Sequence, residues 1–270
     1  MAARPLLRWA GSKRQLVGVL RTYWRADHRR YVEPFAGSAC LFFAISPTNA
    51  ILGDLNGELI ATYEQIRDDV ETVRDELATF GIGKDEYYRV REMPLESLSP
   101  ARRAARFIYL NRYCFNGLYR TNQLGKYNVP FGGKKTGSLP SPEHLRAVAH
   151  RLSGVTLVNS DFGEVLDRTI PGDFVYMDPP YRVSSRRTFR EYDASAFSAN
   201  DLTRLREWMD RLTSRGVEFV VSYAACPEGR SLEAGYQSEV VSVRRNIAGF
   251  AGDRRITDEV IVSNYRAIVQ

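Results

Sequence analysis

The sequence predicts an α/β protein in which a parallel sheet carries a mainly helical insert. A strand–turn–helix pattern occurs twice near the start of the chain, and four apolar runs that end in polar residues follow after His150. Alternation of this kind produces parallel strands joined by right-handed crossovers. Between about Ile60 and His150 the alternation disappears. We therefore predict a sheet domain of residues 1–60 and 151–270 and an inserted domain of residues 61–150.

The first two strand–helix units begin the sheet. The stretch "RRYVEPFAGSACLFFAI" predicts a short strand at Tyr31–Glu33, a glycine-containing turn and a helix from about Ser38. The stretch "NAILGDLNGELIATYEQIRDDVETV" predicts a second strand at Ala50–Gly53, which ends at Asp54 and leads into a second helix. The repeated unit indicates that the two strands are parallel.

The middle third of the chain has a different character. Helical patterns cover Thr72–Phe80 and Ala101–Tyr113, and a Gly-, Asn- and Tyr-rich stretch covers Asn116–Gly137. Beyond it, the apolar runs "VTLVNSDF", "DFVYMDPPY", "VEFVVSY" and "EVIVSNY" predict further strands. The stretch "DLTRLREWMDRLTSRG" has helical periodicity and ends at a glycine, which predicts a helix between two of these strands.

Composition argues against several classes of protein. Hydrophobic residues are 44% and charged residues 26% of the 270, which is ordinary for a soluble globular protein. No apolar run approaches the roughly 20 residues that span a bilayer. The start, "MAARPLLRWAGSK", lacks the apolar core of a signal peptide, so we expect a cytoplasmic protein. Three distant cysteines without C-x-x-C spacing and three histidines argue against a disulfide framework and against a metal site.

Positive charge is concentrated in one internal segment. The net charge is +6, and Ser97–Pro142 holds eight Lys/Arg with no Asp or Glu, which leaves thirty basic and thirty-two acidic residues elsewhere. Aromatic residues are interleaved with this charge at Phe107, Tyr109, Tyr113, Phe115, Tyr119, Tyr127 and Phe131. Basic and aromatic side chains together suit contact with the phosphates and bases of nucleic acid. We favour a nucleic-acid surface over a solvated face.

The turn after the first strand has the character of a small-ligand site. In "EPFAGSA", Gly37 permits close approach of the backbone, and the following helix offers free N–H groups at its start. The motif is not G-x-G-x-x-G, which argues against a dinucleotide and for a smaller adenosine-type cofactor. Asp54 follows about 20 residues later, where an acid can bind two ribose hydroxyls. Alternatively, Asp54 is the N-cap of the next helix.

Two further stretches suit the same ligand. In "NSDF", Asp161 can accept a hydrogen bond from an adenine amino group and Phe162 can stack on the ring; alternatively, Asp161 caps the helix that follows. In "RWAGSK", Trp9 offers an apolar wall and Lys13 a partner for a carboxylate, or the stretch is simply an anchored N-terminus.

The run "FVYMDPPY" ends abruptly in an acid, two prolines and a tyrosine. Prolines end a strand because each lacks an N–H and fixes its own φ. They do not explain Asp178, which stands at the carboxyl edge of the strand, the usual ligand side of an open α/β sheet.

Five stretches in this order, "RWAGSK", "EPFAGSA", "GDLN", "NRYCFNGLYRTNQLGKYNVPFG" and "DPPY", resemble the Dam family of DNA adenine N6-methyltransferases. The resemblance runs from Leu6 to about Asn264. D-P-P-Y alone also occurs in other amino-group methyltransferases, whereas the long "NRY…NVPFG" block is more specific. The resemblance implies a Rossmann-like S-adenosylmethionine-dependent methyltransferase sheet with an inserted, mainly helical target-recognition domain.

The resemblance also implies roles for matching positions. The methionine end of S-adenosyl-L-methionine would lie beside Trp9 and Lys13 with Phe35, Ala36 and Gly37, its ribose would bind Asp54, and its adenine would bind Asp161 and Phe162. The target adenine would bind Asp178, Pro179 and Tyr181, with Asp178 also next to the cofactor. The implied DNA-binding residues are Arg8, Arg112, Asn116, Tyr119, Arg120, Asn122, Leu124, Lys126, Lys134, Lys135 and Arg244.

The D-P-P-Y residues then have a chemical purpose. The exocyclic amine of adenine is a poor nucleophile because its lone pair is delocalised into the ring. Asp178 can accept one N6 hydrogen and the Pro179 carbonyl the other, which favours a pyramidal nitrogen with its lone pair directed at the methyl group. Pro180 holds Pro179 extended and Tyr181 can stack on the base. The protein contributes positioning and electrostatics, and no metal is required.

A base inside a duplex must be flipped out to reach such a pocket, and phosphate contacts would offset the cost. Tyr119 or Asn122 can fill the gap in the stack, Arg8 can read a guanine edge, and the basic stretch Arg244–Arg255 is either a second backbone contact or a solvated hairpin. Family members that read GATC often carry Arg where this sequence has Leu124, so we expect a GATC-like site with altered preference at one flanking base.

Other readings of the chemistry remain. The nearest alternative is transfer of the methyl group to cytosine N4, to RNA or to a protein amide. The "NRY…NVPFG" block favours adenine in DNA. A non-catalytic DNA-binding regulator on this scaffold would be expected to have lost Asp178 or Lys13, and both are present. We expect duplex DNA as the partner and no membrane, and we favour a monomer. A restriction partner, phage protection and regulation all stay open as the biological purpose.

Overall fold

A computed structural model describes residues 4–133, 136–181, 197–246 and 254–267, with only the backbone described for 244–246 and 254–256. Within these residues seven strands form one sheet. The strands are β1 (Arg30–Glu33), β2 (Ala50–Asp54), β3 (Val155–Asn159), β4 (Asp173–Met177), β5 (Glu218–Ala224), β6 (Gln237–Asn246) and β7 (Arg254–Ser263). The predicted α/β sheet is confirmed.

The order of the strands is β3-β2-β1-β4-β5-β7-β6. From β1 the chain moves outward through β2 to β3, then returns to the other side of β1 for β4 and β5, and these five strands are parallel. β7 is antiparallel to both β5 and β6. The order therefore reverses between β1 and β4, and the loops that follow these two strands diverge.

The helices connect the strands on both faces of the sheet. They are α1 (Val17–Leu20), α2 (Cys40–Ile45), α3 (Gly57–Asp68), α4 (Val70–Ala78), α5 (Lys84–Arg91), α6 (Pro100–Tyr113), α7 (Pro142–Leu152), α8 (Phe162–Asp167), α9 (Ala199–Ser214) and α10 (Pro227–Ser231). The helix expected from about Ser38 begins at Cys40, because Ala39 adopts a left-handed conformation with φ 49°. The helix expected at Thr72 begins two residues earlier, because the Asp69 side chain caps it.

Side chains of successive strand residues point to opposite faces, and both faces are covered. On β1, Tyr31 packs with α2 and the helices α3–α7, whereas Val32 packs with α8 and α9. On β4, Phe174 packs on the face covered by α2–α7 and Val175 on the face covered by α8 and α9. For this reason β4 is apolar from Phe174 to Met177, and all of these residues are buried.

Helices α3–α7 occupy the chain between β2 and β3. α3 contacts both of these strands and also packs against α6 and α7. The buried side chains of α3–α7 belong to one cluster with one face of the sheet. The segment predicted as an insert therefore shares a core with the sheet, and its boundaries at 61 and 150 stay a prediction.

Two details of the fold were not predicted. β6 was missed, because its sequence "QSEVVSVRRN" alternates poorly: Val240 and Val241 are adjacent, and Val240 is 45% exposed. The basic stretch Arg244–Arg255 begins in β6 and ends in β7, so its ends are strand rather than loop, and its centre lies outside the described residues. In the described part of the chain, no helix is long and apolar enough to span a bilayer.

Candidate functional site

A cleft of about 1460 Å³ opens where the strand order reverses, beyond the carboxyl ends of β1, β2 and β4. Open α/β sheets bind their ligands at such a position because the diverging loops leave a crevice. The cleft is lined by all eleven residues that the sequence predicts for the cofactor and the target base. Segments far apart in the sequence are brought together by the sheet.

Gly37, in the turn after β1, lies against the face of Trp9. Its φ is +46°, and a Cβ atom at this position would be 2.6 Å from Trp9 Cδ1. The Gly37 N–H donates to Asp54 Oδ2 at 2.9 Å, and the Gly37 carbonyl accepts from the Tyr63 hydroxyl at 2.9 Å. Only glycine combines this conformation with this approach. The turn is therefore a rigid cradle whose wall is Trp9.

Asp54 connects the turns that follow β1 and β2. Its Oδ1 accepts from the Asn56 N–H and its Oδ2 from the Gly37 N–H, both at 2.9 Å. The helix-cap alternative for Asp54 is wrong, because the N-cap of α3 is Asn56, whose side chain accepts from the Leu59 N–H. Burial raises the pKa of Asp54, and the two backbone donors oppose that rise.

Asp161 and Phe162 form the opposite wall. Asp161 is the N-cap of α8, accepting from the Gly163 N–H at 2.9 Å, so the cap alternative is confirmed. It also forms an ion pair with Arg204 of α9, whose guanidinium lies 4.6 Å from the centre of the Phe162 ring. Phe162 stacks on Phe35 with ring centres 5.2 Å apart. These two rings form an apolar wall of the cleft beside a carboxylate.

Asp178 lies directly after β4 and lines the same cleft. Its Oδ1 is 2.7 Å from Lys13 Nζ and accepts from the Ser222 hydroxyl at 3.1 Å. Lys13 thus pairs with a carboxylate of the protein itself, and its contact with the cofactor stays a prediction. Burial raises the pKa of Asp178, whereas Lys13 and the Ser222 hydroxyl lower it. The Asp178 side chain keeps 19% of its surface exposed, toward the cleft.

Tyr181 and the two prolines complete this side of the cleft. The Tyr181 ring packs against Tyr223 with centres 4.9 Å apart, and Lys13 Nζ lies 4.8 Å from the centre of the Tyr181 ring. In the described residues no group of three or more His, Cys, Asp or Glu side chains is suited to hold a metal ion. The arrangement can position an amine against one carboxylate and can bind a nucleoside along the apolar wall of the same cleft.

Comparison with known proteins decides the family. The family model described as "D12 class N6 adenine-specific DNA methyltransferase" matches residues 9–247. The chain belongs to this family. It is a DNA adenine methyltransferase, and the resemblance seen in the sequence is confirmed.

Relatives of this D12-class methyltransferase match nearly its whole length. The type II methyltransferase M1.LlaDCHI of Lactococcus lactis subsp. cremoris is 31% identical over 271 residues, 97% of this chain and 95% of the relative. The type II methyltransferase M.MjaIII of Methanocaldococcus jannaschii is 30% identical over 292 residues, covering 98% and 100%. The DNA adenine methylase of Escherichia coli strain K12 is 31% identical over 263 residues, covering 96% and 94%.

In this D12-class methyltransferase, acidic side chains of other helices neutralise part of the basic segment Ser97–Pro142. Arg102 pairs with Glu76 of α4 and Arg103 with Glu58 of α3. Arg106 is buried and donates to two carbonyls at the end of α5. The absence of acids from this stretch of sequence therefore overstates its free positive charge, because other helices supply the partners.

Some of the predicted DNA-binding residues are held by the protein itself. The Arg8 backbone exchanges two hydrogen bonds with the Asn111 side chain, and its guanidinium donates to the Arg112 carbonyl at 3.4 Å. Arg112 donates to the Leu6 carbonyl, and burial lowers the pKa of Arg112. Tyr119 stacks on Trp9 with ring centres 5.8 Å apart and is half-buried. These side chains shape the floor and wall next to the cleft.

Four further members of the predicted set, Arg120, Asn122, Leu124 and Lys126, lie in a hairpin that we call the 120–128 hairpin. Arg120 donates to Asn128 Oδ1 at 2.7 Å, and Asn122 Oδ1 accepts from the Leu124 and Lys126 N–H groups at 3.0 Å. Leu124 is 80% exposed at the tip. Asn116, just before the hairpin, has a left-handed φ of 56°. Lys134, Lys135 and the side chain of Arg244 lie outside the described residues.

Sequence reasoning missed three polar residues behind Asp178. Ser222 of β5 bonds both Asp178 and the Tyr176 hydroxyl of β4, the latter at 2.9 Å. Glu259 of β7 is 2% exposed, and its Oε2 lies 3.8 Å from Lys13 Nζ. For Ser222 and Tyr176 the available signal was a polar group inside a largely apolar strand, because a buried polar group requires a partner. Glu259 gave no such signal, because the stretch "RITDEV" contains other polar residues.

A fourth missed residue is Glu33 at the end of β1. It is 2% exposed, lines the cleft and accepts from the Tyr31 hydroxyl at 2.8 Å. Burial raises the pKa of Glu33 well above its ordinary range. The sequence identified this residue only as the end of a strand.

Proposed function

We propose that the protein transfers the methyl group of S-adenosyl-L-methionine to N6 of an adenine flipped out of duplex DNA, at a GATC-like site. The observation that carries this proposal is the geometry of Asp178. One of its oxygens is held by Lys13 and Ser222, while part of the side chain faces the cleft that also contains the glycine cradle.

The cleft fits S-adenosyl-L-methionine in three respects. The Gly37 turn lies close against Trp9 only because it lacks a Cβ atom, and both residues line the cleft. Asp54 offers acceptors suited to two ribose hydroxyls. The Phe35–Phe162 pair suits an adenine ring, with Asp161 next to it as an acceptor for the amino group. Trp9 and Lys13 border the methionine end.

When bound, the cofactor supplies an electrophilic methyl group. Asp178 accepts one N6 hydrogen of the target adenine and the Pro179 carbonyl accepts the other. The amine lone pair is thereby released from the ring and directed toward the cofactor side of the cleft, while Tyr181 stacks on the base. Acceptors held in advance stabilise positive charge as it develops on N6 without further rearrangement.

The base must leave the duplex to reach this site, at a cost of about a few kcal/mol. The 120–128 hairpin and the basic residues near it contact the phosphates and fill the gap in the stack, which offsets that cost. Arg8 reads a guanine edge on the side of the cofactor motif. Leu124 cannot donate to guanine, so the readout at one flanking base differs from that of a strict GATC enzyme.

The proposal is tested by methylation of a duplex that contains one GATC site, with tritium-labelled S-adenosyl-L-methionine and identification of the modified base. The native protein should form N6-methyladenine. Asp178→Ala should lower the turnover rate by about a thousandfold or more, as expected for loss of a group that acts in the transition state. Calorimetry should show that the variant still binds the cofactor.

A matched control is Asp167→Ala, which removes an exposed carboxylate paired with Arg215 far from the cleft. It should turn over like the native protein. Native-like turnover by Asp178→Ala, or N4-methylcytosine as the product, contradicts the proposal.

A further inference from the structure

Lys13 lies between two carboxylates and not beside one. Its Nζ is 2.7 Å from Asp178 Oδ1 and 3.8 Å from Glu259 Oε2, and it donates to the Gly11 carbonyl at 3.0 Å. The Lys13 side chain is 5% exposed and that of Glu259 is 3% exposed. The ammonium is thus enclosed by two acids, one carbonyl and the Tyr181 ring.

The position of Glu259 depends on the reversed strand β7. Glu259 pairs with Ala224 of β5 on one side and Val241 of β6 on the other. Ser222, the second donor to Asp178, is also on β5. Glu259 is therefore fixed in the sheet directly behind the residues that hold Asp178.

Lys13, Asp178 and Glu259 together contain more acidic than basic groups. A buried carboxylate is costly unless it is paired, and Glu259 and Asp178 share the Lys13 ammonium, with Asp178 the closer of the two. Two carboxylates and one ammonium carry a net charge of −1, whereas a Lys13–Asp178 pair alone would be neutral. Methyl transfer moves a positive charge from the sulfonium to N6, so a net negative group beside that path stabilises the charge at both ends.

We propose that Glu259 is a positioning residue for methyl transfer: by sharing Lys13 with Asp178, it keeps the group negatively charged and keeps Asp178 a strong acceptor for the target amine. This inference rests on the proposed function. Without Glu259, the Lys13 ammonium would no longer be shared and would interact more strongly with Asp178. The stronger interaction would weaken the hydrogen bond from N6 to Asp178 and the attraction of Asp178 for a cation.

The direct test is Glu259→Gln, which keeps the shape and removes the charge. Its matched control is Asp258→Asn, which makes the same charge change at the neighbouring residue of β7, where the side chain is exposed and bonded to Ser242. Glu259→Asp serves as the conservative variant, because it keeps the charge and retracts it from Lys13.

A binding measurement tests the charge separately from turnover. Calorimetry compares S-adenosyl-L-methionine, which carries the sulfonium charge, with S-adenosyl-L-homocysteine, which lacks it. Glu259→Gln should raise the Kd of the charged ligand relative to the uncharged one by about threefold to tenfold, which corresponds to about 0.7–1.4 kcal/mol. Asp258→Asn should leave this ratio unchanged, and Glu259→Asp should change it part of the way.

The pH dependence of kcat gives a second readout. Besides burial, which is the largest cause, like-charge repulsion from Glu259 raises the pKa of Asp178, and Lys13 lowers it. Glu33, Tyr176 and Cys40 also interact electrostatically with Asp178 and are unchanged in these variants. Asp178 must be ionised to accept, so Glu259→Gln should move the acid limb to lower pH while lowering the plateau about tenfold.

The outcomes separate the two proposals. If the native protein does not methylate DNA, the proposed function fails, and the ratio of ligand affinities still tests the role of Glu259. A Glu259→Gln protein with the native ratio and the native acid limb overturns the inference. If Glu259→Gln does not fold, Glu259→Asp decides: an intermediate ratio supports the inference and a native ratio overturns it.

Discussion

Gly37 has no room for any side chain, and this makes it a sensitive probe of the cradle. Gly37→Ala would place a Cβ atom 2.6 Å from Trp9 in a left-handed conformation. We expect a loss of stability of about 1–3 kcal/mol from overpacking, in addition to about 1–2 kcal/mol of backbone strain. Chemical denaturation measures the loss, and calorimetry should show weaker binding of S-adenosyl-L-methionine.

Gly216→Ala is the control for backbone strain. Gly216 has a φ of +68°, and nothing lies within 4 Å of the position a Cβ atom would occupy. Its substitution should cost only the strain and should leave cofactor binding unchanged. Equal losses of stability in the two variants would mean that the contact with Trp9 is unimportant.

Substitution of Leu124 tests base specificity directly, because Leu124 is 80% exposed at a hairpin tip and a larger side chain fits there. An Arg–guanine pair contributes about 1–3 kcal/mol of discrimination. Leu124→Arg should tighten the preference at one flanking base without much increase in the turnover rate on GATC. Both forms are compared on duplexes varied at each base around one adenine. If the native enzyme already rejects every single-base variant of GATC by about a hundredfold, another residue reads that base.

At the scale of elements, the Asn122 side chain holds the tip of the 120–128 hairpin. Asn122 Oδ1 accepts from two N–H groups, and Thr121 and Tyr127 form an antiparallel bridge. Each hydrogen bond contributes about 0.5–1.5 kcal/mol, so Asn122→Ala should speed amide exchange at Leu124 and Lys126 by about tenfold. It should also raise KM for DNA while the affinity for the cofactor stays the same.

Asn122→Asp tests whether the hydrogen bonds are responsible, because a carboxylate can accept from the same two N–H groups. Amide exchange at the tip of the 120–128 hairpin should then remain slow. Fast exchange in both variants would show that the hydrogen bonds do not hold the tip.

At the scale of the whole molecule, the distribution of charge predicts how DNA binding responds to salt. If Lys126, Lys134 and Lys135 each neutralise one phosphate, replacing all three by Gln should reduce the slope of log K against log salt by about 2.7, at about 0.9 for each contact. Fluorescence anisotropy at several salt concentrations measures the slope. An unchanged slope would assign these lysines to a solvated face.

The control makes the same charge change on the other face of the sheet. Arg206 and Arg211 lie on α9 and Arg215 follows it directly; α9 packs with α8 on the face opposite α3–α7. Replacing these three by Gln lowers the net charge equally. A purely long-range effect of net charge would reduce the slope to the same extent in both triple variants.

The sequence by itself determined the family, the sheet and the residues at the ends of its strands. Apolar runs and the turns that follow them are local signals, and parallel strands bring their carboxyl ends to one edge, so Gly37, Asp54, Asp161 and Asp178 were expected near one another. Edge strand β6 was harder, because its pattern is weak and its partner β7 comes later in the chain.

Only the tertiary structure decided which charges meet. Glu259 comes late in the chain, yet β7 lies beside β5 and brings it within 3.8 Å of Lys13. Glu58 and Glu76 similarly neutralise Arg103 and Arg102 from other helices. Electrostatic interactions depend on distance in space and on burial, and neither quantity is contained in the spacing of residues along the chain.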